Sequence, residues 1–436
     1  MKTKATKEQA TNALVPKLRF PAFRGATGWE VQSGNRLFDQ VSDKSPEPGL
    51  PVLAITQEHG AIPRDLIDYH VSVSEKSIES YKVVQVGDFI ISLRSFQGGI
   101  EYSQYHGICS PAYVILRRSA AGSDAYFKHY LKTDRFIQIL TKNLEGLRDG
   151  KMISYKQFSE LQIPTPEPEE QQRIADCLGS LDELIAAQGR KVEALKTHKK
   201  WLMQQLFPRE GETRPRLRFP EFQGANEWSV TTVGGLVGAS WLFPPRDGNH
   251  GNIHPKSSDY VATGIPFIMA SDLNGGLIDI EKCHFIRKEQ ADALQKGFAK
   301  EGDVLLSHKG TVGEVAVVRK INTPYLMLTP QVTYYRVKDH QKLSNEFLAQ
   351  LFVADSFQAN LVEASGGGTR AYIGITEQAK LHVQLPKNIQ EQHRIADCLS
   401  SLDTLITAAT QALDTLKTHK QGLMQQLFPT PEEVEA

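Results

Sequence analysis

The chain of 436 residues carries 50 Lys+Arg against 50 Asp+Glu, a formal net charge of +0, with 40% hydrophobic and 23% charged residues. That length and balance suit two or three globular domains with cores of their own and exclude an overall basic field, so any polyanion site has to be local. The N-terminal MKTKATKEQATNALVPK lacks the apolar core of a secretion signal and no run approaches roughly 18 apolar residues, which predicts a cytoplasmic protein; the cysteines at 109, 177, 283 and 398 never stand as CxxC and no Cys/His set has zinc spacing, so neither a disulfide framework nor a metal site is expected.

The chain is written twice. PKLRFPAFRGATGWEV at 16–31 returns as PRLRFPEFQGANEWSV at 215–230, with 10 of 16 positions identical. RIADCLGSLDELIAAQGRKVEALKTHKKWLMQQLFP at 173–208 returns at 394–429 with 24 identities in 36. Between these blocks lie two segments that differ in length and nearly everywhere in sequence, sharing only a skeleton: GLPVLAI at Gly49 parallels GIPFIMA at Gly264, VGDFIISLR at Val86 parallels EGDVLLSHK at Glu301, and ISYKQFSELQIP at Ile153 parallels ITEQAKLHVQLP at Ile375. This internal repeat predicts a first variable domain over 1–169, a central helix over 170–208, a second variable domain over 209–390, a C-terminal helix over 391–429 and an acidic tail over 430–436.

In the first variable domain PVLAI, DFIISL and AYVILRR read as strands, and AYFKHYLKTDRFIQILTKN reads as helix; in the second, DVLLSH, VAVVRK and QVTYYRV read as strands, and EFLAQLFVADSFQANLVEA as helix. Each domain is therefore expected to be α+β. After its helix each crosses a polar loop, EGLRDGKMIS at Glu145 or SGGGTRAYIGIT at Ser365, where Arg148, Lys151, Thr369 and Arg370 offer donors for phosphates or base edges.

Along the repeated block Ile174, Leu178, Leu181, Ile185, Gln188, Val192, Leu195, Lys199, Leu202 and Leu206 step by four and three alternately, and the second copy keeps the pattern as Ile395, Leu399, Leu402, Ile406, Ala409, Leu413, Leu416, Lys420, Leu423 and Leu427. A seam of about five heptads predicts a coiled coil, each helix spanning roughly 55 Å, with Gln188, Lys199, Ala409 and Lys420 as polar or small positions that set register. Prolines at 164, 166 and 168 precede the first helix and Pro208 ends it; Pro386 and Pro429 do the same for the second. Chain order puts the two domains at opposite ends of a rod, and intramolecular pairing would make the helices antiparallel, giving an almost twofold molecule. The alternative is that each helix packs only on its own domain.

No catalytic set emerges: there is no Walker lysine motif, no NPPY or DPPY, no HExxH and no GxSxG. SGGGTR lacks the lysine and spacing of a P-loop. A binding function is favoured over an enzyme.

Taken in this order, the duplicated helices, their openings PTPEPEEQQRI at 164–174 and PKNIQEQHRI at 386–395, and the GD, apolar run and Ser at 87–92 and 302–307 resemble the DNA-specificity subunit of type I restriction-modification enzymes over nearly the whole chain. The resemblance implies two target-recognition domains, each reading one half of a bipartite asymmetric site in double-stranded DNA, and a helix pair that sets the spacer and docks two modification subunits. Those partners would carry S-adenosylmethionine and methylate adenine, with ATP and Mg on the restriction subunits of the full complex, no cofactor on this chain and no membrane involved. Base reading is expected from the loops after the GD strands, Ser92, Arg94 and Gln97 in the first domain and His308, Lys309 and Thr311 in the second, with Lys151, Tyr155, Arg370 and Tyr372 from the loops before the helices. Against this, residues 31–169 hold 15 Lys/Arg to 17 Asp/Glu and residues 231–389 hold 16 to 15, so neither reader is basic overall. The competing reading is a coiled-coil scaffold with two protein-binding end domains, which would gain little from divergent domains on a preserved frame; a specificity domain fused to an enzyme would need the methylase motif that is missing.

Overall fold

A computed structural model describes residues 14–67, 80–142, 153–366 and 371–429. The chain divides into two compact units: residues up to Gly189 together with those from Gln411 onward, and Arg190–Thr410. Both units mix helix and sheet.

In the first unit a four-stranded antiparallel sheet runs in the order Phe38–Val41, Val114–Arg118, Phe89–Ile91 and Glu101–Tyr102. Its counterpart in the second unit runs Arg246–Asp247, Val332–Tyr335, Val304–Lys309 and Thr311–Val317, and the same unit adds a five-stranded sheet built on Ile265–Ile268. The strands fall where short apolar runs alternate with Gly and Asp, because those runs are buried on both faces: Phe89, Ile90 and Ile91 are all inaccessible, as are Val304, Leu305 and Leu306. Aspartates that begin these strands are tied down by arginine, Asp88 by Arg117 and Asp303 by Arg336, each through both carboxylate oxygens at 2.7–2.8 Å.

Each single helix expected after the strands is two. AYFKHYLKTDRFIQILTKN breaks into Asp124–Tyr130 and Asp134–Lys142, and EFLAQLFVADSFQANLVEA into Asn345–Val353 and Asp355–Ala364. The break comes at the residue before the Asp that starts each second helix: the Thr133 hydroxyl caps Phe136 N–H at 3.2 Å, and Ala354 is extended at φ −62°, ψ 143°. Apolar periodicity continues through such a corner, which is why it reads as one helix.

The repeated blocks form one frame, made twice. Glu30–Ser33 pairs antiparallel with Gln162–Thr165, and Ser229–Thr232 with His382–Leu385. Directly after the second strand of each ladder comes a long helix, Pro168–Leu206 or Ile389–Leu427, 39 residues each. Pro168 lies inside its helix as the first residue, where its missing N–H costs no hydrogen bond. A buried carboxylate in the first turn anchors each helix to the repeated N-terminal block. Arg19 reaches Glu170 at 2.7 and 2.8 Å and the carbonyls of Ala26 and Thr27; Arg218 reaches Glu391 at 2.7 Å twice and the carbonyls of Ala225 and Asn226. The next residue repeats too: Gln171 accepts from Ser123 N–H and donates to the Pro166 carbonyl, as Gln392 does with Ser344 and Pro386.

Every position of the heptad seam is buried or half-buried on both helices, while most positions between are exposed. Within the first unit Ile174 and Leu178 share a core with Leu423, Leu427 and Phe428, and Asp182 pairs with Lys420, so the two helical segments there run in opposite directions. Within the second unit Leu202 and Leu206 share a core with Ile395 and Leu399, and Lys199 grips Asp403 at 2.6 and 2.8 Å, with the same antiparallel sense. The seam lysines are thus paired rather than merely tolerated.

Among the described residues no helix is long and apolar enough to cross a membrane, and no group of His, Cys, Asp and Glu could hold a metal ion.

Glu391 is wholly inaccessible, so removing its partner strands a buried charge. Arg218→Met is expected to cost about 3–5 kcal/mol in urea denaturation, and Arg218→Met with Glu391→Leu to recover a substantial part of that loss. A single-variant loss below about 1 kcal/mol, the range of exposed pairs, would refute the anchoring role.

Candidate nucleic-acid interface

The strand that follows each GD turn leads to a polar tip, and the two tips are built differently. In the first unit Ser92 is buried and closes the turn: its N–H donates to Ser95 Oγ at 2.9 Å and its Oγ accepts from Arg94 N–H at 3.2 Å. A single helical turn, Ser95–Gly98, follows, and Gly99 at φ +79° lies so close to Leu131 that a Cβ would come within 2.2 Å of its carbonyl oxygen. Ser92 therefore shapes the turn, while Arg94 and Gln97 stand exposed on it.

In the second unit the same chain position continues as a hairpin, with Lys309 facing Thr311 across Gly310 at φ +83°. Lys309 and Thr311 are exposed, whereas His308 is 1% exposed and its Nδ1 lies 2.9 Å from Thr333 Oγ1. Burial pushes the His308 imidazole down to about 4; Asp247 opposes this and the neighbouring His250, Lys309 and Lys296 reinforce it. At neutral pH His308 is an uncharged part of the floor. Lys309 also bridges to Tyr372, which is 49% exposed and carries its ring 5.9 Å from that of His308. The second tip thus brings together Lys309, Thr311 and Tyr372 from loops more than 60 residues apart in the chain.

Tyr155 does not belong with them. Its hydroxyl donates to the Phe38 carbonyl at 3.0 Å and its ring packs on the first unit's core, so it braces the sheet. Arg148, Lys151, Thr369 and Arg370, like the acidic tail over 430–436, lie outside the described residues.

One cluster escaped the sequence reading. Asp247, on the strand beside Val332–Tyr335, accepts from Lys296 Nζ and meets His250 Nε2 at 2.6 Å. Burial alone would raise the Asp247 carboxyl, but the hydrogen bonds from Lys296 and His250 hold it below the usual range. The signal available was composition: DGNHGNIHP packs Asp, two Asn and two His among glycines, without periodicity to place them.

These tips offer cationic, amide, hydroxyl and aromatic groups on braced loops, which suits contacts to phosphates and base edges rather than bond-making chemistry.

Comparison with known proteins places this arrangement. The model of a family described as the type I restriction modification DNA specificity domain matches residues 30–197 and again residues 228–418. The type I restriction enzyme MjaVIII specificity subunit of Methanocaldococcus jannaschii is 23% identical over 365 residues, covering 82% of this chain and 81% of that relative. The putative MjaX specificity subunit of the same organism is 22% identical over 431 residues, covering 92% of each. Among solved structures, the S subunit of a type I restriction-modification system from M. genitalium shares the fold with a TM-score of 0.58 at 15% identity, covering 95% of this chain and 99% of that one. A structure described as underlying complex assembly and conformational transition of the type I R-M system matches with a TM-score of 0.50 at 16% identity, covering 96% and 97%. With two domain matches that together take in most of its length, the chain belongs to the type I restriction-modification DNA specificity family, as a non-catalytic specificity subunit with two target-recognition domains.

Proposed function

We propose that each target-recognition domain reads one half of a bipartite, asymmetric site in double-stranded DNA, and that the long helices set the unspecified spacer and dock two adenine methyltransferase subunits. The observation that carries this reading is the contrast between frame and tip. Arg19–Glu170 and Arg218–Glu391, Gln171 and Gln392, and the Lys–Asp pairs of the seams are the same device made twice, whereas the tips differ in chain length, backbone path and chemistry. A repeated surface suits two copies of one partner, and unlike tips suit an asymmetric sequence.

Arg94 and Gln97 would read in the first domain, and Lys309, Thr311 and Tyr372 in the second; Arg and Lys suit guanine and Gln suits adenine in the major groove. Arg148, Lys151, Thr369 and Arg370 remain proposed contacts of the same kind. S-adenosylmethionine would sit on the methyltransferase partners, and ATP and Mg on restriction subunits, in a cytoplasmic complex. Because neither reader is strongly basic, the partners would share the phosphate contacts, and DNA affinity of this chain alone should be modest and steeply salt-dependent.

The direct test is adenine-methylation sequencing of a host genome with this chain and its cognate methyltransferase present or absent. A new bipartite motif with a fixed gap is expected, and no change with the methyltransferase expressed and bound would refute the reading. Inserting one heptad in both helices adds about 10 Å, close to three base-pair steps, and should lengthen the gap while preserving both half-sites; altered half-sites at an unchanged gap would sink the spacer role. Exchanging residues 32–169 for another variable segment should change one half-site. A change in both would mean that the domains are not independent readers.

A further inference from the structure

The segment RDGNHGNIHP in the second domain is built more firmly than a solvent loop requires. A Cβ at Gly248 would come within 2.0 Å of the Leu328 carbonyl oxygen, so the chain approaches that strand as only glycine permits. Asn249, 2% exposed, donates to the Lys296 carbonyl at 2.6 Å and accepts from Gln295 N–H at 3.0 Å. Asp247 pairs across the ladder with Thr333, whose hydroxyl holds His308 under the hairpin tip. At the end of this chain of buried groups stands a side chain that is half exposed, His250. A surface histidine needs no scaffold to stay hydrated. Here a buried carboxylate holds the ring, while the Asn249 amide and the close approach at Gly248 hold the backbone between the two residues.

We propose that His250 is a base-edge contact of the second target-recognition domain, reading an exocyclic amino group in the major groove, with Asp247 as its positioning residue. The proposal rests on the reading of this domain as a half-site reader. Asp247 is an ionised carboxylate and so only accepts; His250 Nε2 must donate to it. With Nε2–H given to the carboxylate, the ring nitrogen left to meet a base is Nδ1, which accepts when the imidazole carries a single proton. An acceptor presented in this way selects adenine N6 or cytosine N4, and is mismatched to guanine N7 and O6 or thymine O4, which also accept. Lys296 on the other carboxylate oxygen stops the Asp247 side chain from turning, so the ring is presented in one direction. Rigid presentation of one nitrogen suits base discrimination; a phosphate contact would be served as well by a free lysine.

The test uses the full chain in complex with its modification subunits. A DNA library randomised in the second half-site is methylated by wild type, His250→Ala and Asp247→Asn, and the products are sequenced. His250→Ala is expected to relax a single position, one where wild type prefers adenine or cytosine on the contacted strand, by about 10-fold or more, with the first half-site unchanged. Asp247→Asn should relax the same position. His250→Gln, which can pair with adenine, keeps the test open if the alanine variant does not fold, and should hold or shift the preference toward adenine at that position only. An unaltered motif in His250→Ala would overturn the proposal, as would a uniform loss over all sequences with a shallower salt dependence, the mark of a phosphate contact. If wild type itself methylates no bipartite site, the half-site reading fails; if wild type does and the variants match it, only the role of His250 fails.

Discussion

The buried pair between an arginine of the RFP segment and a glutamate in the first turn of each long helix is the contact on which the rest of the architecture depends. Glu170 is 1% exposed and Glu391 is inaccessible, so each carboxylate forfeits several kcal/mol of hydration and recovers it only through a matched, fully bonded partner. Arginine supplies that match: two donors take both carboxylate oxygens, and further donors take two carbonyls of the same repeated block. The location in the first helical turn adds the favourable field of the helix N-terminus. Such a pair contributes direction more than net stability, because any other angle between helix and block leaves both charges buried and unmet.

A second polar device acts further along each helix. A lysine in a heptad seam interrupts apolar packing, yet Lys199 and Lys420 each find an aspartate, Asp403 and Asp182, on the facing segment of the same unit. Leucines tolerate a slip of one heptad, since each seam position resembles the next. The charge pairs do not, because a slip of about 10 Å would leave a half-buried ammonium among aliphatic side chains. The apolar positions thus provide most of the adhesion and the Lys–Asp pairs set the register. In the second unit Gln350 adds a hydrogen bond to Asp403 at 3.2 Å; in the first, His129 occupies the corresponding helix, 3.9 Å from Asp182, where burial pushes it down to about 4 and keeps it uncharged. Neither neighbour brings a second cation to the carboxylate at neutral pH.

The frame was legible in the sequence because its contacts join one repeated block to another. Arg19 and Arg218, Glu170 and Glu391, and the seam all recur in copies that can be laid side by side, and the GD strands declare themselves as continuous apolar runs. The corners at Asp134 and Asp355 were not legible, since apolar spacing passes through them unchanged. At the candidate interface, residue type identified polar tips without separating those that face outward from those that brace. Tyr155 binds a carbonyl 117 positions away, and His308 turns inward to Thr333, 25 positions on. Asp247, His250 and Lys296 meet across 49 positions. Local pattern carries no information about such partners, because the strand ladder that brings them together is itself a long-range pairing.

The separation of frame from tip follows from what each rests on. Frame residues hold one another through charged or amide groups with several bonds each, so altering one leaves another buried and unsatisfied. Tip residues stand on supports that are small and local: Ser92 and Ser95 under Arg94, Gly99 against Leu131, Gly310 between Lys309 and Thr311. Exposed side chains on such supports exchange at little expense in stability, because substitutions that remove no buried group change folding free energy by only about 0.5 kcal/mol. The Asp247–His250 cluster is the exception on the second domain, a reader-side group with frame-like anchoring. Its ring orientation is therefore bound to the strand Arg246–Asp247 and to Asn249, and changing what it recognises requires rebuilding that support rather than replacing one exposed residue.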